Sequence, residues 1–575
     1  MGVSPAKFES AGQVTEHLIP GVYTRRNTVS SGSGVSNGNL VILGQSMGGT
    51  PNKLTYVTNK SEAEEALKDG ELLQAVAAAF NGSPDYVPQK VGFIRVNQGT
   101  QAKMELKSGD ETILTLTAWD YGIHTNQLKF WLENGTENGS YSFKVGYKTS
   151  VVEKKNIKKE SFTIQYIGDG ESCIMNITSS GITLSATDPE TSTAIDELSI
   201  AWSEVRYVSD LIERINDQGS YICILKDPTD SALTEELDFV SSVILGDDPV
   251  IVTSTLKALI DELKTISYFD KVEFNPAANR MIPDIMYGYS YFVGGTAGEY
   301  SISDWVKSLG ILEQEDVQII ATPSTNDNVH ALISDHCTSM SSVSKKKERT
   351  FWIGAAAGTS IESGISKAQT INNELGSLVI DSAIATNPLT GASEEISPSI
   401  LACKMAGIET AVSSSVSLTN KAVKISALTR RRSDIELEKL IAGGVVTFGE
   451  NEDGNLICVR SVTTCKENNL IKNERSMTRS VLYMDRDFRQ AYSGFIGSNK
   501  EPSESEIIII LTERAKDWYR NNLIVPNSNG EYVFDVSVSF SGDKTYVRYS
   551  RYVRTPNNFI FGTATNEVFT STTEV

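Results

Sequence analysis

Long apolar runs, histidines and paired cysteines are what this chain has least of. No apolar stretch approaches the ~20 residues that cross a bilayer, so no direct membrane insertion is expected. The N-terminus, MGVSPAKFESAGQV, lacks the basic start and apolar centre of a signal peptide, which points to synthesis and folding in a cytoplasm. Only His17, His124, His330 and His336 are present, and they form no H-x-x-x-H pair. His330 and His336 flank Cys337, a weak metal cue that reads more simply as a polar helix face. The six cysteines are scattered without a C-x-x-C pair, and most sit in or beside apolar runs, so they read as free core thiols. There is no G-x-x-x-x-G-K-[ST] phosphate loop. Gly354-Ala355-Ala356-Ala357-Gly358 follows a strand-like run but lacks the lysine, and its small residues suit close backbone packing. Ser/His/Asp sets are recognised by geometry, and four histidines leave little material for one. No catalytic residue, metal site or cofactor is expected.

What is present is size and acidity. At 575 residues the chain is too long for one ordinary core, and 40% hydrophobic with 22% charged residues is an ordinary globular composition. A net charge of −20 disfavours nucleic acid and anionic membranes as partners.

Residues 1–33 are polar and rich in Gly and Ser, and read as an N-terminal arm. Residues 34–97 have a β-α-β pattern, with a strand at Leu40-Val41-Ile42-Leu43-Gly44, a helix capped by Ser61 and Glu64, and a returning strand at Val91 to Val96. Over 98–200, short alternating runs are broken by Gly, Asn and Asp, which predicts an inserted antiparallel β domain. Residues 201–432 alternate helix and strand patterns again and read as an open α/β core. Its elements include helices around Leu211 and Leu259, strands at Tyr221 to Leu225, Val317 to Ala321 and Thr350 to Gly354, and a helix from Asp327 to Ser342. Residues 433–555 read as a C-terminal α+β domain, and 556–575 as a C-terminal arm.

The best-marked stretch is Ser433 to Asn522. Ser433 with Glu436, and Ser503 with Glu506, are capping boxes. Between them, Val445-Val446-Thr447-Phe448 and Leu456-Ile457-Cys458-Val459 flank an Asp-Gly turn and predict a hairpin. In the helix from Ser476 to Phe495, Met477, Val481, Met484, Phe488 and Phe495 form one stripe, while Arg475, Arg479, Arg486 and Arg489 run two residues out of phase. Two residues are 200°, so the arginines are expected opposite the buried stripe. They read either as a solvated face or as a docking face for an acidic partner. The contrast with the rest of the chain favours weighing the second, since residues 430–520 hold 15 Lys/Arg against 15 Asp/Glu.

Several segments, in order, resemble the tail sheath proteins of contractile-tailed bacteriophages. They are Ile19-Pro20-Gly21-Val22-Tyr23; Trp119-Asp120-Tyr121-Gly122 with Asn126-Gln127-Leu128; Phe292-Val293-Gly294-Gly295-Thr296-Ala297-Gly298; Ala321-Thr322-Pro323-Ser324; Ser397-Pro398-Ser399 with Ala406-Gly407-Ile408; and Ile435 to Cys465 followed by Arg479-Ser480-Val481-Leu482 to Gly494-Phe495-Ile496-Gly497. The resemblance implies a multidomain α/β and α+β protein: a subtilisin-like, non-catalytic α/β core, an inserted antiparallel β domain, an α+β C-terminal domain and extended terminal arms. It implies a virion protein that stacks on itself as six-fold rings around a tail tube and contracts to drive the tube through the host envelope. Its further partners would be the tube, baseplate and tail terminator proteins. It also implies strand exchange between subunits, assigned here to Gly21, Val22, Tyr23 and Thr24 and to Asn558, Phe559, Ile560 and Phe561. The hairpin Val445 to Val459 becomes part of the accepting sheet, and Arg475, Arg479, Arg486 and Arg489 become the tube contact. Two alternatives remain at this stage, another phage assembly component such as a baseplate or capsid protein, and a degenerate α/β hydrolase.

Overall fold

A computed structural model describes the backbone of residues 6–10 and 13–17, and residues 38–228, 231–498 and 502–566. Five successive apolar or small residues suit a strand covered on both faces, and Leu40–Gly44 (β1) is buried throughout, inside an eight-stranded sheet. Leu54–Val57 (β2) lies at one edge of that sheet. Helices Lys60–Leu67 (α1) and Glu71–Phe80 (α2) then lead to Val91–Arg95 (β3), which returns parallel to β1 with Val41 beside Gly92. The β-α-β unit is thus as expected, but its cap is not. Asn59, not Ser61, accepts from the Glu62 N–H, and the Glu62 carboxylate reaches back to Thr58 N at 2.7 Å.

The sheet resumes after a long excursion with Ile319–Ala321 (β4), Asp327–Met340 (α3), Thr350–Gly354 (β5), Ile361–Ile371 (α4), Gly376–Val379 (β6) and Pro398–Ala411 (α5). Asp434–Ala442 (α6), Val445–Glu450 (β7) and Leu456–Arg460 (β8) complete it. The strand order is β8-β7-β6-β5-β4-β1-β3-β2. The six inner strands are parallel, and β8 and β2 run antiparallel at the two edges. Helix α5 is apolar or small on nearly every side and is buried from Pro398 to Glu409, as a helix enclosed by other elements must be. It packs on α2 so closely that a Cβ at Gly407 would stand 2.1 Å from the Ala79 carbonyl oxygen.

The β insertion is larger than the sequence pattern indicates. It runs from Gln98 to Glu299 rather than to residue 200, and forms two cores. The first gathers Leu116, Phe130, Phe143, Leu259 and Phe292; the second gathers Phe162, Ile182, Leu211 and Tyr221. Helices Val208–Asn216 and Thr255–Lys264 and strand Tyr221–Leu225 therefore belong to the insertion and not to the parallel sheet. Amphipathic periodicity identifies a helix but not the sheet it covers. The two ends of the insertion meet, with Gln98 N donating to Glu299 O at 3.1 Å. Arg95, fully buried, donates to the carbonyls of Gly49, Tyr121 and Ala297 there.

The hairpin β7–β8 also departs from expectation. It is part of the central sheet, with Leu378 paired to Val445, and not of a separate C-terminal domain. Gly444 makes the turn into it at a φ of +77° that L side chains avoid. The chain divides instead inside Arg475–Tyr492 (α7), into a unit built on Gly38–Ser480 with the segment from Val553, and a unit built on Val481–Tyr552.

The smaller unit contains the second half of α7, Glu504–Arg520 (α8), and the antiparallel pair Phe534–Ser541 (β9) and Lys544–Ser550 (β10). The Ser503–Glu506 capping box that opens α8 is present, as is the Ser433–Glu436 box at α6. Trp518 Nε1 donates to Asp487 Oδ2 at 2.7 Å, and Tyr549 stacks on Phe488 and Trp518. The N-terminal residues described form one antiparallel pair, Ala6–Ser10 with Gln13–His17. No helix among the described residues is long and apolar enough to cross a membrane.

Candidate functional site

The first turns of α7 are held by a buried ion cluster. Glu409, in the last turn of α5, is fully buried. Arg475 grips it with both prongs, Nε to Oε1 at 2.7 Å and NH2 to Oε2 at 2.9 Å, the fork geometry that suits a carboxylate. Arg475 also donates to Phe351 O and Ser377 Oγ and lies 4.4 Å from the Trp352 ring centroid. Arg479 adds Nε at 3.1 Å from Glu409 Oε1 and donates to the carbonyls of Glu409 and Val412. Trp352 Nε1 also donates to the carboxylate. Burial alone would raise the Glu409 pKa; the charges of Arg475 and Arg479 and the donors around it reverse the sign and hold it below the usual value.

These contacts correct the expected arginine face. Arg475 and Arg479 are only 2% and 5% exposed and point into the larger unit. Met477, expected on the buried stripe, is buried as well, so the first turns of the helix carry no solvated arginine face. Arg486 and Arg489 lie beyond the division of the chain and are half-buried.

The terminal segments divide similarly. Gly21, Val22, Tyr23 and Thr24 lie outside the described residues. Asn558, Phe559, Ile560 and Phe561 are described, and form a segment without regular secondary structure or a strand partner among the described residues. Phe559, Ile560 and Phe561 are 64%, 87% and 94% exposed, so three large apolar side chains stand in water side by side.

The hairpin expected to accept such a segment is already covered. The outer edge of β8 is taken by the chain itself: Asn420 N donates to Cys458 O at 2.7 Å, Cys458 N to Lys421 O at 3.1 Å and Val423 N to Leu456 O at 2.9 Å. Lys404, buried in α5, fastens this covering strap by donating to Lys424 O at 3.2 Å and to Asn81 O at 2.6 Å. The pair β9–β10 differs: each strand has a partner on one side only among the described residues. Nothing in its sequence alone marked it as the open pair.

Enzyme-like features are weaker in three dimensions than in sequence. Gly44-Gln45-Ser46-Met47-Gly48 is a G-x-S-x-G run after strand β1, which the sequence reading passed over. A nucleophile elbow needs a strand, a strained serine and a helix. Here Ser46 is buried, donates its hydroxyl to Gly48 O at 2.7 Å, and is followed by β2, with α1 starting at Lys60. Asp120 and His124 approach to 3.0 Å near this loop, and Asp120 Oδ1 accepts from Gly49 N. No hydrogen bond joins Ser46 to His124 among the described residues. The strand order reverses between β1 and β4, where open α/β sheets bind ligands; there the Pro323 ring lies 2.9 Å from where a Gly44 Cβ would stand. His330 and His336 are engaged with Ser324 O and Arg349, at 2.7 and 2.6 Å.

Comparison with known proteins agrees with the resemblance read from the sequence. No family model matches the chain. It is 23% identical over 541 residues to the tail sheath protein of Bacillus phage SP01, covering 90% of this chain and 90% of that protein. It is 23% identical over 492 residues to the tail sheath protein of Staphylococcus phage Twort, covering 78% and 80%. Among solved structures, the sheath tail protein of Desulfitobacterium hafniense superposes with a TM-score of 0.55 at 12% identity, over 93% of this chain and all of that one. The chain is thus a mixed α/β multidomain protein similar in fold to a sheath tail protein, and similar in sequence to phage tail sheath proteins along most of its length. Two of the family-like segments meet in space: the Asn126 side chain bonds both the N–H and the carbonyl of Gly295, at 2.8 and 2.9 Å.

Proposed function

We propose that this chain is the structural subunit of a contractile phage tail sheath, which polymerises around a tail tube and contracts to drive it through the host envelope. The observation that carries this reading is the similarity to the phage SP01 tail sheath protein over 90% of both chains. The partners are copies of itself in stacked six-fold rings, the tube protein, and baseplate and terminator proteins; the protein is made in the host cytoplasm and ends in the virion tail. It acts without catalysis: the parallel core is a subtilisin-like scaffold, and contraction is a rigid-body repacking of subunits.

Strand exchange links subunits while their interfaces repack. The donated segments are the N-terminal arm at Gly21, Val22, Tyr23 and Thr24 and the C-terminal arm at Asn558 to Phe561. The accepting sheet is β9–β10, because its outer edges are unpaired among the described residues whereas the edge of β8 is closed. Arg486 and Arg489 remain the tube-facing cations. Electron microscopy of the purified protein tests the reading: hollow cylinders are expected, and monodisperse monomers or closed shells under assembly conditions would overturn it. A fluorophosphonate serine probe is expected to leave Ser46 unlabelled; stoichiometric labelling would revive a hydrolase.

A further inference from the structure

The C-terminal arm is not free along its whole exposed length. Its root sits on a polar cradle in the larger unit. Glu474, the residue before Arg475, is 1% exposed. Asn558 Nδ2 donates to Glu474 Oε2 at 3.3 Å. The other carboxylate oxygen accepts from Ser417 Oγ at 3.2 Å and Ser476 Oγ at 3.4 Å. Arg460, at the end of β8, brings Nε to 3.7 Å from Glu474 Oε2 and lays its guanidinium over the Phe559 ring at 5.5 Å. Phe559 in turn stacks on Phe561, with ring planes 10° apart. A buried carboxylate is costly unless donors surround it, and the arm supplies one of these donors.

We propose that Glu474 and Arg460 form a clamp that fixes the arm root at Asn558 and Phe559, so that the segment free to pair with another copy of this chain begins at Ile560. This rests on the strand-exchange reading and sharpens it. Asn558 and Phe559 hold the arm to its own subunit. Ile560 and Phe561 are what it offers outward. Phe559 and Phe561 stack on each other and so share one face, the face whose Phe559 ring Arg460 covers. The clamp thereby sets both where the donated strand starts and which face it presents. Glu474 and Arg460 are positioning residues.

The test uses the full chain with Phe561→Cys, labelled at that exposed thiol with a spin label; the six native cysteines are all buried. Label mobility is measured in unassembled protein, and the cylinder growth rate on the parallel unlabelled chains. Asn558→Ala is the main variant, since it removes the arm's donor without touching the core; Arg460→Gln is the second. Both are expected to increase label mobility several-fold and to slow cylinder growth about tenfold, with circular dichroism unchanged. Unchanged mobility in both variants would overturn the clamp. Raised mobility with growth at the parent rate would overturn its positioning role. Ile560→Asp with Phe561→Asp separates the two readings. If that chain still forms cylinders at the parent rate, strand exchange by this arm has failed; if it does not assemble while the two clamp variants grow normally, only the clamp's positioning role has failed.

Discussion

Glu409 is one carboxylate shared by two guanidinium groups and an indole, and none of the four can reach bulk water in the folded unit. Removing one member leaves the others buried and uncompensated, which costs about 3–5 kcal/mol. Glu409→Gln and Arg475→Met are therefore each expected to lower the unfolding free energy by about that much, measured by urea denaturation. Arg431→Gln, on an exposed position, is expected to change it by less than about 0.5 kcal/mol. Equal effects at Arg475 and Arg431 would contradict the cluster. The imidazoles of His330 and His336 give a second residue-scale expectation. Burial, helped by the charges of Lys367 and Arg349 respectively, pushes both down to about 4. In the unfolded chain they titrate near ~6.5. Below that pH the unfolded state takes up protons that the folded state refuses. The stability they contribute is therefore whole above ~6.5 and is lost as pH falls towards about 4. His336→Gln, which keeps an acceptor for Arg349, is expected to flatten the fall in melting temperature between pH 6.5 and 4.5; an unchanged slope would remove His336 from the account. Sequence alone could not place these groups. An arginine in a helix reads as a surface residue until its acid partner, 66 residues upstream, is known to lie beside it.

At the scale of elements, legibility followed local chemistry. The strands at Leu40 and Thr350, the capping boxes of α6 and α8, and the hairpin β7–β8 all have short-range causes, and all are present. Apart from the cap of α1, which Asn59 and not Ser61 supplies, what failed was the assignment of elements to sheets, because that depends on partners distant in sequence. Tyr221–Leu225 was read as part of the core sheet and pairs instead with Glu160–Tyr166. The hairpin β7–β8 was read as an open acceptor and is covered by residues 420–423. Such coverage has no pattern signature, since a single extended stretch pairs through its backbone. In the strand exchange we propose, the acceptor is β9–β10, where Phe540 and Tyr546 are 39% and 49% exposed. Charged side chains blunt strand edges, so Phe540→Lys with Tyr546→Lys is expected to leave the monomer folded, within a few degrees of the parent melting temperature, and to abolish cylinders in micrographs. Normal cylinders from that variant would return the acceptor site to some other edge.

At the scale of the molecule, the insertion from Gln98 to Glu299 stands out because its own two cores are separate from the core of the parallel sheet. Its entry and exit strands are joined to each other by Thr100 to Thr296 and Lys103 to Val293 backbone bonds, so the excursion closes where it opens. A loop whose ends already touch can be shortened with little strain, and shortening it lowers the entropy cost of closing it. The contact that resists excision is Arg95. Two of its three carbonyl partners, Tyr121 and Ala297, would leave with the insertion, and burial already depresses its pKa to about 10. Replacing residues 99–298 by a short Gly/Ser link is therefore expected to give a folded but weakened core, and adding Arg95→Met to recover about 1–3 kcal/mol by removing the stranded cation. Circular dichroism and urea denaturation read both effects. A collapsed product without a cooperative transition in either chain would mean that the parallel sheet depends on the insertion to fold. A folded product that still polymerises would place the insertion outside the contacts that build the cylinder.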